Sequence, residues 1–97
     1  MHVNVLGKRV KVTEKELPDG QYGEFVSEPE LEIYLKTDMK KRQKTRVLKH
    51  EMYHAMLWIS GISVALSNDQ EEQIVSCFEY HADDIKKEAV NQLRGNK

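Results

Sequence analysis

The string His50-Glu51-Met52-Tyr53-His54 is the part of this sequence that could do chemistry. On a helix of 3.6 residues per turn, His50 and His54 lie one turn apart on one face. Two imidazoles so placed can reach a single ion, and zinc accepts nitrogen ligands at about 2.0–2.1 Å. Glu51 is turned about 100° from His50. Its carboxylate can reach a water on the metal without being a ligand, the general-base arrangement of an H-E-x-x-H motif. The competing reading is a surface pair of helical histidines. His2 and His81 read as surface or partly buried imidazoles.

A catalytic zinc usually takes three protein ligands and keeps one position for water. The third must come from farther along the chain, where Glu71 and Glu72 open a second helical pattern. Glu71 points along the centre of that helix's apolar stripe, Glu72 along its border. Geometry from the sequence leaves the choice open. Either glutamate also has a plain structural role, since both favour the helix dipole and Glu72 would complete a capping box with Asp69.

The elements that must position these residues are legible as patterns. Val3 and Val5, then Val10 and Val12, alternate with polar residues around Gly7-Lys8 and suggest a hairpin. Pro18-Asp19-Gly20 is turn chemistry. Strands are expected over Tyr22–Ser27 and over Leu31, Ile33 and Leu35. From Lys41 to Ser60 the period is helical, with Leu48, Met52, Ala55, Met56 and Ile59 nearly opposite the histidines. Trp58 and Val47 fall on the histidine side, and Trp58 is the better candidate for a cleft wall, with cover for the second helix as the equal alternative. Gly61 stops this helix. Ser67, Asn68 and Asp69 are N-cap candidates for a second helix, which runs from about Asp69 to Arg94, with Ile74, Val75, Phe78, Ala82, Ile85, Ala89 and Leu93 as its buried stripe. The fold class expected is α+β: a small, partly antiparallel sheet from the first 36 residues packed by two main helices, in one domain spanning residues 1–97.

Composition sets further bounds. Fifteen basic residues face sixteen acidic ones, so bulk charge does not favour nucleic acid or membrane partners. The basic run from Lys36 to Arg46 reads as a solvated face leading into a helix. The single cysteine, Cys77, cannot form an intrachain disulfide, and no segment reaches membrane-spanning length. The expectation is a cytoplasmic protein.

The segment LKHEMYHAMLWISGI followed by EEQIVSCF resembles the gluzincin-type zinc metallopeptidases. It looks closest to short phage- and mobile-element-encoded minigluzincins related to the ImmA/IrrE family. The Tyr22–Phe25 segment and the Leu31–Leu35 strand resemble the strands before the histidine helix in that group. The resemblance covers about Tyr22 to Phe78. It implies a zincin-like fold, zinc held by His50, His54 and Glu72, Glu51 as general base and acid, and a peptide or protein substrate. One departure is Glu79, where the family pattern usually has a small residue. The Leu31–Leu35 strand is expected to rim the cleft with a free edge, and Tyr53 or Tyr80 to meet the developing oxyanion. The alternative is a metal-stabilised, catalytically silent interaction module.

Overall fold

The structure is a computed structural model and describes residues 1–95. Two valine-alternating strands open it, β1 (His2–Val5) and β2 (Lys8–Lys15). They pair antiparallel with Val5 opposite Lys8. The turn is therefore Leu6-Gly7, one residue earlier than the sequence suggested. Both turn residues have positive φ, 50° and 80°, as a two-residue hairpin turn of matching twist requires. The Asn4 side-chain oxygen accepts from the Gly7 N–H.

Strands β3 (Gly23–Val26) and β4 (Glu32–Lys36) form a second antiparallel pair, with Phe25 opposite Ile33. β4 then lies parallel to β2, Val12 opposite Ile33. The sheet order is β1-β2-β4-β3, so the four strands form one mixed sheet. This order corrects one expectation. The Leu31–Leu35 segment is interior, bonded on both sides, and has no free edge. The free edge beside the helices belongs to β3.

Helix α1 (Lys41–Ile59) lays its apolar stripe on the sheet. Val10, Ile33, Leu35 and Ala55 are fully buried there, and Leu48, Met52, Met56 and Ile59 pack against them. A salt bridge of 2.8 Å from Lys44 to Glu14 ties the start of α1 to β2. Gly61, at φ 83°, ends the helix region as expected, and a short 3-10 turn (Ile62–Ala65) leads to α2 (Asn68–Gly95).

The start of α2 selects one of the N-cap candidates, in a way that matters for the site. Ser67 caps it: the Ser67 hydroxyl accepts from Gln70 N–H, and the Gln70 side chain accepts from Ser67 N–H. This is a reciprocal capping box. It removes Asp69 and Glu72 from that duty. The α2 stripe also divides. Val75 is fully buried and Ile74, Phe78 and Ala82 are partly so, whereas Ile85 and Leu93 are more than 70 % exposed. α1 runs antiparallel to α2, and Lys49–Asp83 at 2.9 Å is the ion pair nearest the far end of their contact. Beyond it α2 projects past the body of the molecule.

Candidate metal centre

Antiparallel packing of α1 on α2 sets the histidine face of one helix against the glutamate face of the other. His50 Nδ1 donates to Glu79 Oε2 at 2.8 Å, and His54 Nδ1 donates to Glu71 Oε2 at 2.6 Å. An ionised carboxylate can only accept, so each ring donates from Nδ1. The Nε2 atoms remain. That of His54 lies 2.8 Å from Glu72 Oε1, and that of His50 lies 3.5 Å from Glu72 Oε2. One carboxylate thus faces the second nitrogen of both rings. The imidazole rings sit edge to face, centroids 5.1 Å apart.

The donor set fits a cation. One nitrogen from each ring and a carboxylate oxygen lie within 4.8 Å of one another. With Nδ1 protonated, a lone pair on Nε2 would point at a negative oxygen. That contact is favourable only with a proton or a positive ion between them. Two histidines and one carboxylate make a set that zinc accepts, and carboxylates on the remote nitrogens are the usual outer support of such ligands. His50, His54 and Glu72 would hold the ion. Glu71 and Glu79 would orient the rings. The open choice between Glu71 and Glu72 is therefore given a geometric answer, with Glu71 turned to the far side of His54.

Glu79 was not singled out by its type. Its signal was present all the same: it lies seven residues after Glu72, two helical turns, and so shares its face. Its side chain is only 14 % exposed, against 25 % for its partner His50.

Glu51 is the one charged residue buried among the described residues, at 8 % exposure. Burial pushes its carboxyl above the ordinary range. His54 and His50 pull it back down, while Glu72 and Glu24 push it up. For His50 burial favours the neutral ring, but the bond to Glu79 and the charges of Glu51, Glu79 and Glu72 together leave its pKa raised. Glu51 is outside the ligand cluster and borders it.

Gly23, at the start of β3, is what lets the sheet edge come this close. A Cβ there would lie 2.6 Å from Val47 Cγ1 and 3.1 Å from Glu51 Oε2. Two open depressions meet at this point. One is lined by Tyr22, Arg46, Val47 and His50, the other by Glu24, Phe25, His54 and Glu71. Gly23, Glu51 and Glu72 border both.

Several expected residues lie elsewhere. Trp58 is 44 % exposed and lines neither depression. Tyr53 packs on Phe78, centroids 5.6 Å apart, and Tyr80 is 70 % exposed. Neither tyrosine borders the cluster. His2 contacts Arg9 on the opposite side of the sheet, and His81 is exposed. Among the described residues no helix is long and apolar enough to cross a membrane. No protein-family model, curated protein or solved structure matches the chain.

Proposed function

We propose that this chain is a minimal zinc-dependent peptidase of zincin-like build, with His50, His54 and Glu72 as ligands and Glu51 as general base and acid. The observation that carries the reading is the division of the two imidazoles. Their Nδ1 atoms are held by Glu79 and Glu71, and their Nε2 atoms converge on Glu72.

A bound zinc supplies Lewis acidity, which polarises a carbonyl and makes a water molecule acidic near neutral pH. The chain's own residues do the rest. Glu51, with its raised pKa, takes a proton from the attacking water and passes it to the leaving amine. The free edge of β3 offers main-chain hydrogen bonds to an extended peptide, which it would hold beside Glu51.

One observation favours the second reading, a metal-stabilised interaction module. No tyrosine among those considered for the oxyanion borders the cluster. The two readings separate on one comparison. Purified protein should carry about one zinc, as a three-ligand site does. Wild type should cleave unfolded proteins, and Glu51→Gln should keep the zinc and lose the cleavage. Equal cleavage by both variants rejects the mechanism. Zinc binding with no turnover by wild type selects the module.

A further inference from the structure

The cleft around Glu51 and Glu72 carries opposite charge at its two ends. At the His50 end stands Arg46, with Gln21 and Tyr22. At the His54 end stand Glu24 and Glu71. Arg46 precedes His50 by one helical turn, so it shares the face that carries the ligands. Its charge is uncommitted. Among the described residues Lys44 is paired with Glu14 and Lys49 with Asp83, whereas Arg46 makes no ion pair and is exposed. The two acids that share its depression, Glu72 and Glu79, are turned to the histidines. Past Arg46 the surface stays basic through Lys41 and Arg42.

We propose that Arg46 is a substrate-binding residue that receives a carboxylate carried by the peptide on the His50 side of the scissile bond. The inference rests on the reading of His50, His54 and Glu72 as a metal site. A guanidinium presents a planar fork that matches a carboxylate with two parallel hydrogen bonds. An exposed arginine loses little hydration on pairing, so the contact adds affinity. Glu24 at the other end repels the same group, which makes the preference one-sided. The carboxylate has two chemical sources, an acidic side chain within a longer peptide or the free C-terminus of a short one.

The test measures binding, not turnover. Short peptide hydroxamates, extended from the hydroxamate in both chain directions, anchor on the zinc of the loaded protein. Three otherwise identical probes are compared: Glu side chain with amidated end, Gln side chain with amidated end, and Gln side chain with free carboxylate. Wild type should prefer one carboxylate probe over the Gln amide by about tenfold, the scale of one charge-assisted contact. Which probe wins identifies the source. Arg46→Gln should bring that ratio to about one, and Arg46→Glu should invert it. Equal affinity for all three probes in wild type overturns the inference and leaves the metal site standing. So does a preference that survives in Arg46→Gln. Failure of the zinc-loaded protein to bind any hydroxamate overturns both.

Discussion

Glu71 and Glu72, adjacent in the chain, meet opposite nitrogens of one imidazole: Glu71 lies 2.6 Å from His54 Nδ1, and Glu72 lies 2.8 Å from His54 Nε2. Successive residues on a helix point about 100° apart. A ring inserted between two such carboxylates is held from both sides. The two positions should therefore differ in kind when changed. Glu72→Ala should remove a ligand and abolish tight zinc binding. Glu71→Gln and Glu79→Gln keep a hydrogen-bond acceptor and lose the charge, so each should weaken zinc by about 10–100-fold, the usual effect of altering outer support. Competition with a zinc-specific chelator gives the three affinities. A larger loss from Glu71→Gln than from Glu72→Ala would reverse the assignment.

Glu51 illustrates a conflict between folding and chemistry. A carboxylate buried to 8 % exposure costs free energy in the metal-free fold. Glu51→Gln removes the charge at constant shape. Chelator-treated Glu51→Gln should therefore melt higher than chelator-treated wild type at neutral pH. On the proposed mechanism the same change should lower hydrolysis by about 10² or more. A thermal scan of both proteins in chelator checks the first half without any substrate. A lower melting temperature for Glu51→Gln would mean that the carboxylate is stabilising where it sits.

The sheet strands, the two helices and the histidine pair were legible because each rests on local periodicity. Valines at every second position make β1 and β2, and apolar residues at helical spacing place α1 on the sheet. What was not legible depends on which element meets which. Strand order put β3 and not β4 at the edge, and no local pattern encodes order. The α2 stripe from Ile74 to Leu93 reads as continuous, yet its burial ends at Ala82. From the sequence Glu72 reads equally as a cap or as a ligand, and the capping box of Ser67 with Gln70 removes the first role. Glu79 stood out only as a departure from a pattern, and its role depends on a contact twenty-nine residues away in sequence.

The same contact predicts opposite pH trends for the metal-free and metal-loaded proteins. The folded pKa of His50 lies above 6.5, so its stabilising contribution is present below that value and is lost as pH rises through the folded pKa. Glu51 has a folded pKa above 4.5. Its penalty is absent below 4.5 and grows as the pH rises through the folded value. Both groups make the metal-free fold less stable with rising pH. Zinc requires unprotonated Nε2 atoms, so its affinity rises over the same interval. The gap in melting temperature between zinc and chelator should therefore widen from about pH 5 to 8, where imidazoles lose their protons. Repeating the chelator series on Glu51→Gln isolates the carboxylate, and its slope should be shallower than that of wild type. An identical slope would remove Glu51 as a contributor.

The narrowest steric requirement of the site is at Gly23. Its ideal Cβ would stand 2.6 Å from Val47 Cγ1, closer than real Cβ contacts come, and 3.1 Å from both Cγ and Oε2 of Glu51. Val47 is β-branched and stiff at χ1, so it cannot swing aside at small cost. Gly23→Ala should force β3 away from α1 and destabilise the protein by about 1–3 kcal/mol, the range for overpacking a close contact. The damage should concentrate on the cleft, because Gly23 borders both depressions beside Glu51. Zinc affinity should change less than stability, since neither Val47 nor Gly23 is one of the ligands. Val47→Ala should recover part of the stability lost in Gly23→Ala, because it removes the nearer obstruction. A double-mutant cycle by chemical denaturation measures that recovery. If the two changes are simply additive, the alanine methyl has been accommodated by movement elsewhere, and the close approach of β3 to Val47 is not what requires glycine.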